Sequence, residues 1–184
     1  TIQPNNPWPL LRELASSKNS VAQASIGTFL AKQRRFDAAL GWLEVAARPG
    51  NLFANSLLAR IYWFKAGSAQ KQEPQQNPAE SDDQQPTAQE FKQLALENHL
   101  QAIALGSADS MYTLGRLYIE EFFGSANNAE GIALLEQAGR LGKAEALLYL
   151  GHQFRIGQRL RANPTAAKDY LEQAAALQNP DAII

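Results

Sequence analysis

The stretch "LEQAGRLGKAEALLYLG" at residues 135–151 is echoed by "LEQAAALQNPDAII" at residues 171–184, so that Leu135, Glu136, Gln137 and Ala138 return as Leu171, Glu172, Gln173 and Ala174. The step of 36 residues also carries Leu114, Gly115 and Tyr118 onto Leu150, Gly151 and Phe154. With gaps allowed, the same columns reach further forward: Ile26 and Leu58 join the leucines, Gly27 and Ala59 the glycines, Leu30 and Tyr62 the aromatics. A second segment trails each of these. In it Ala39, Ala95, Gly131 and Ala167 form one small-residue column, and Ala46, Ala102, Ala138 and Ala174 form another, seven residues further on. Recurrence at a period of about 20 to 50 residues marks a repeat architecture.

The spacing within each segment is helical. Residues at i, i+3, i+4 and i+7 share one face of a helix, so Leu114 and Tyr118 lie on one face, and Gly131, Leu135 and Ala138 on another. Small side chains at fixed places let two helix backbones approach closely while the aromatic fills the space beside them. Each unit therefore reads as a pair of helices, A then B. One pair cannot bury its apolar faces alone, whereas stacked pairs make a continuous core, so the expected fold class is all-α, an α-solenoid of antiparallel helix pairs.

The pattern of small, small and aromatic on A, with two alanines seven apart on B, resembles the Sel-one-like repeat of the tetratricopeptide repeat superfamily. The resemblance covers about residues 19 to 180 and implies a right-handed superhelix. From Gly115 to Gly131, and from Gly151 to Ala167, the columns of A and B stand 16 apart, which is similar to the Sel-one-like spacing. From Gly27 to Ala39 they stand 12 apart, which is similar to the ordinary tetratricopeptide spacing. The family's turn glycine, three residues after the aromatic, is matched by Gly157, with Gln33, Lys65 and Glu121 at the other three places. Some bacterial members of the class staple each pair with a disulfide; this chain has no cysteine and must rely on packing.

On this register the chain divides into a half repeat at 1–18 (helix B of a preceding unit), repeat 1 at 19–50, repeat 2 at 51–106, repeat 3 at 107–142, repeat 4 at 143–178, and the start of a further helix at 179–184. Nine to ten helices are expected. Repeat 2 carries an insertion, 67–89, rich in Gln, Pro, Ser, Asp and Glu and without an aromatic, which has the composition of a disordered tether. With no initiator methionine, no signal-like segment and a half unit at each end, the chain reads as a piece of a longer array.

Composition narrows the function classes. Charged or polar residues interrupt every apolar run before the roughly 18 to 20 residues that span a bilayer. A net charge of −1 gives no electrostatic footprint for nucleic acid. No phosphate loop, nucleophile elbow or zinc-protease helix is present, and no catalytic residue, metal ligand set or cofactor is expected. Only two histidines occur. His99 stands in the column of Leu43, Leu135 and Leu171, where a packed, hydrogen-bonded histidine is expected. Asp82 and Asp83 sit in the insertion, where nothing fixes two carboxylates at a productive separation.

What remains is surface. In the fold this sequence resembles, the A helices line the concave face, and positions just after the glycine column and one turn later point into it. Those positions hold Arg60, Arg116 and His152, then Trp63, Ile119 and Arg155, with Tyr112 and Leu148 on the preceding turn and Phe53 two turns before Arg60. Arg, Trp and Tyr are the residues enriched at binding hot spots, so the partner expected on this face is another protein or peptide. The resemblance implies a non-enzymatic scaffold or adaptor, in bacterial envelope assembly, polysaccharide export or host interaction, and a periplasmic or secreted location, with a cytoplasmic one as the alternative. The other reading is a regulatory or carbohydrate-binding helical module attached to an enzyme in a longer chain. The Gln- and Ala-rich composition accords with a bacterial source.

Overall fold

The computed structural model describes residues 13, 15, 16, 18–72, 86–123 and 127–178. Among them are eight helices and no strand: α1 Ser20–Lys32, α2 Phe36–Ala47, α3 Leu52–Gln72, α4 Ala88–Ala104, α5 Ala108–Ile119, α6 Asn128–Arg140, α7 Ala144–Ile156 and α8 Pro164–Gln178. None is long and apolar enough to cross a membrane. The chain divides between Leu105 and Gly106 into two compact units. Unit 1 holds α1 to α4, with α1 packed on α2, α2 on α3 and α3 on α4. Unit 2 holds α5 to α8, with the same succession of contacts.

The repeated columns form the core of each unit. Leu43, Leu114, Leu135 and Leu150 are fully buried, as are Ala39, Ala46, Ala95, Ala102, Ala138 and Ala174. The glycine column has a steric reason. A Cβ at Gly115 would lie 2.8 Å from the carbonyl oxygen of Gly131 and 2.8 Å from Leu135 Cγ. At Gly27 it would meet Leu43 Cγ at 2.5 Å, and at Gly151 Leu171 Cγ at 2.7 Å. In these three pairs the A helix thus drops a side chain where the leucine of its B helix enters. Repeat 2 pairs differently, with Ala59 in the glycine column and His99 in the leucine column.

Two turns share a shape although only one of them carries the glycine. Gly157 ends α7 in the left-handed region at φ 72°, and Glu121, one repeat earlier, takes the same region at φ 59° despite its side chain. Lys65, the third residue in that column, lies inside α3, which runs on past it.

That overrun corrects the expected extent of the insertion. Residues 67–72 are helical, and α4 already begins at Ala88, so both ends of the 67–89 stretch belong to helices. The stretch "GSAQKQ" contains helix-forming Ala, Gln and Lys, and the first proline comes at Pro74. At the far end, a capping box starts α4: Thr87 Oγ1 accepts from Glu90 N at 3.2 Å, and Thr87 N donates to Glu90 Oε2 at 2.7 Å. Residues 73–85, the further helix expected at 179–184 and most of the half repeat at 1–18 lie outside the described residues. Of that half repeat, Glu13, Ala15 and Ser16 are helical, and the buried Gln23 side chain donates to Ala15 O at 3.1 Å.

Candidate functional site

In unit 1 the expected surface residues come from α3. Phe53 is 77% exposed, Trp63 is 41% exposed, and Arg60 is exposed between them. Val21 of α1, in Phe53's column one repeat earlier, is 68% exposed. The helices beneath are tied by polar contacts: Tyr62 donates to Glu44 Oε1 at 2.7 Å, and Lys65 pairs with Asp37 at 2.7 Å. Burial first, and then the neighbouring Glu44 carboxylate, raise the Tyr62 pKa well above its ordinary value. That tyrosine stays neutral and holds α2 to α3.

In unit 2 the expected residues come from α5 and α7. Asp109, Tyr112 and Arg116 follow one another at i, i+3 and i+7 along α5, and Glu145, Leu148 and His152 do the same along α7. The Arg116 guanidinium lies 5.6 Å from the Tyr112 ring centroid and 5.3 Å from that of Tyr149. Its Nε and Nη2 donate to Glu120 Oε1 at 3.2 and 2.9 Å, and the Tyr149 hydroxyl donates to the same oxygen at 3.2 Å. Partial burial alone would lower the Arg116 pKa, but the hydrogen bond and charge of Glu120 outweigh it and hold that pKa above the ordinary value. Burial, then the Glu120 charge, pushes Tyr149 up to about 12. Arg159 completes this end by donating from Nη1 to the backbone oxygen of Glu120 at 3.2 Å.

At the other end of the same face, Lys143 pairs with Asp109 at 2.7 Å and Glu145 at 3.7 Å, and lies 5.8 Å from the Tyr112 ring centroid. His152 and Arg155 are both exposed, with Arg155 Nη2 3.2 Å from His152 Nδ1. A guanidinium can only donate, so in this contact Nδ1 is the accepting side.

Two solved structures share this arrangement of helix pairs. A Sel1 repeat protein from Oxalobacter formigenes superposes with a TM-score of 0.64 at 17% identity, over 90% of this chain and 61% of that one. The chain shares its fold with Sel1 repeat proteins. A second one, from Klebsiella pneumoniae subsp. pneumoniae, gives a TM-score of 0.61 at 19% identity, over 91% of this chain and 73% of that one. The present chain thus spans about 61% of the length of the Oxalobacter protein. No family model matches the sequence, and no curated protein matches it.

Within this Sel1-type frame, one expected surface residue is corrected. Ile119 is fully buried, 2.9 Å through its Cγ1 from where a Cβ on Gly131 would stand. It is four residues after Gly115, close enough to the glycine face that an apolar side chain turns inward against α6. At the equivalent places the bulky Trp63 and the charged Arg155 remain exposed. Tyr149, Glu120 and Lys143 belong to the surface and were not singled out by the columns. Their signal in the sequence is thin, since it lies in pairings between α5 and α7 rather than along either helix.

His99 is 1% exposed, as its column requires, but neither ring nitrogen has a hydrogen-bond partner. The expected hydrogen bond is absent. Burial, with a smaller contribution from the Arg60 charge, lowers its pKa to about 4, so the ring is neutral at pH 7. Among the described residues no three His, Asp or Glu side chains gather as a metal site.

Proposed function

We propose that the chain is a non-enzymatic interaction module that holds a segment of another protein on the exposed faces of its A helices. The observation that carries this reading is the Arg116 guanidinium held between Tyr112 and Tyr149 on a half-exposed face. Ordering an arginine in advance lowers the entropy lost when it meets a partner, and Arg and Tyr supply large contact area and directional hydrogen bonds. In unit 1 the exposed Phe53 and Trp63 supply apolar area around Arg60, and in unit 2 His152 and Arg155 extend the polar face. We place the protein outside the bacterial cytoplasm, periplasmic or secreted, in envelope assembly, polysaccharide export or host interaction. The fold shared with bacterial Sel1 repeat proteins supports that setting.

The test is retention of a partner by the immobilised full-length protein. Arg60→Glu and Arg155→Glu change exposed side chains, and each weakens the retained complex by about 1 to 3 kcal/mol if it borders the contact. Lys168→Glu on the B helix α8, 74% exposed, leaves it unchanged. A partner held equally by all three variants removes the A-helix faces from the interaction.

A further inference from the structure

The A-helix face of unit 2 is polar along its length. On α5 the stripe runs Asp109, Tyr112, Arg116; on α7 it runs Glu145, Leu148, His152, with Arg155 one turn on. Both helices therefore read acid, then ring or aliphatic, then base, in the same direction. At the acidic end the carboxylates of Asp109 and Glu145, 75% and 58% exposed, face one ammonium, Lys143, which is only 26% exposed. At the basic end Arg116, Arg155 and Arg159 outnumber Glu120 and Glu121. The contact of Arg116 with Glu120 uses Nε and Nη2, and among the described residues no carboxylate pairs with the Nη1 edge.

The stripe also has a length. Asp109 and Arg116 are seven residues apart, which is about 10 Å along a helix rising about 1.5 Å per residue. An extended chain advances about 3.3 Å per residue, so it covers that distance in three residues. We infer that this face recognises an extended peptide segment carrying one cationic and one anionic side chain three residues apart, with an apolar residue between them over Tyr112 and Leu148. The inference rests on the reading of unit 2's A-helix face as a partner-binding surface and names the charge pattern of what binds there. Charge complementarity of this kind sets register and orientation more than raw affinity. Acidic residues in the first turn and basic ones in the last also favour the helix macrodipole. That effect alone makes the charges matter to stability and leaves the pattern of a bound peptide irrelevant.

The experiment titrates the full chain with three capped peptides of one length, carrying Lys-x-x-Glu, Glu-x-x-Glu or Lys-x-x-Lys around the same Leu-containing centre. The readout is the NMR ring signals of Tyr112 and Tyr149. The mixed peptide is expected to bind about three- to fivefold more tightly than either single-sign peptide, as one additional exposed ion pair provides. Asp109→Lys shifts the preference to the Glu-x-x-Glu peptide; should that variant fold poorly for loss of its Lys143 contact, Glu145→Lys makes the same change at an exposed site. If the acidic peptide binds best to the unaltered chain, the face is a simple anion site, which overturns the inference and leaves partner binding standing. Equal affinities, or no ring-signal change with any peptide, overturn it as well. The fate of the broader reading is decided separately by the retained protein partner.

Discussion

Units 1 and 2 are built from the same pair of helices taken twice, yet they differ both inside and outside. Inside, unit 2 sets Gly115 and Gly151 opposite Leu135 and Leu171, whereas the second pair of unit 1 has Ala59 in the glycine column and His99 in the leucine column. Outside, α5 and α7 present a network of tyrosines and paired charges, whereas α1 and α3 present Val21, Phe53 and Trp63. The interior difference is steric. In the glycine-bearing pairs an added Cβ would stand 2.5 to 2.8 Å from the branch carbon of the facing leucine, whereas the second pair of unit 1 carries Ala59 in the glycine column and a histidine, not a leucine, in the leucine column. His99 brings two buried ring nitrogens that have no hydrogen-bond partner among the described residues, which is a cost that a leucine in that column does not carry.

The largest effect should follow from forcing unit 2 to accept what unit 1 already has, and more. Gly115→Leu drives carbon into the backbone oxygen of Gly131, which cannot move aside as a side chain end could. We expect a loss of about 3 kcal/mol or more, read by residue-resolved hydrogen exchange as loosening of α5 to α8. Unchanged protection in unit 2 would show that the close approach of α5 and α6 does not matter to its stability.

Next comes acid. The folded pKa of His99 lies near 4, below the ordinary 6.5, so between those values the unfolded chain binds a proton that the folded chain refuses. Stability of unit 1 therefore falls as pH drops from about 6.5 to 4, by up to about 3 kcal/mol, and levels off once both states are protonated. Chemical denaturation across that window should show the fall in unit 1. The paired change Ala59→Gly with His99→Leu, which rebuilds the steric arrangement of unit 2, should abolish that histidine's contribution. His99→Leu alone should overpack the site. A pH profile of unit 1 identical in the paired variant would locate the acid sensitivity elsewhere.

The smallest effect concerns the outer face. Glu120→Gln removes the charge shared by Arg116 and Tyr149, and because Arg116 is 40% exposed the cost to unit 2 is only about 1 kcal/mol. The more sensitive readout is ultraviolet titration of tyrosine. The Tyr149 transition near 12 should move down toward the ordinary 10, while burial keeps it from arriving there. A transition that stays put would assign the shift to burial alone.

The sequence made the helices and the inner columns legible because both follow from spacing along one chain. Leu114, Leu135, Ala138 and Leu150 could be placed in the core with no knowledge of what they touch. The outer face was legible only in part. Arg60, Arg116, His152 and Arg155 were readable as positions on a helix, but the pairing of Arg116 with Glu120 and Tyr149 depends on how α5 lies beside α7, which no single-helix pattern encodes. Ile119 failed for a related reason: a place at the margin of two faces is decided by the side chain, and isoleucine turns inward. The start of α4 was written in Thr87 and Glu90, a capping pair three residues apart, and was obscured by the polar composition around it. His99 was recognisable as buried by its column. Its lack of a hydrogen-bond partner was not, because that depends on every neighbour at once.

The capping box at Thr87 and Glu90 has one more consequence. A helix that supplies its own first hydrogen bonds needs nothing from the chain upstream to begin. The chain just ahead of Thr87 is therefore a place at which the polypeptide can be opened or extended in protein engineering. A guest domain whose ends lie close together, written in ahead of Thr87, would leave the first turn of α4 with its own hydrogen-bond partners.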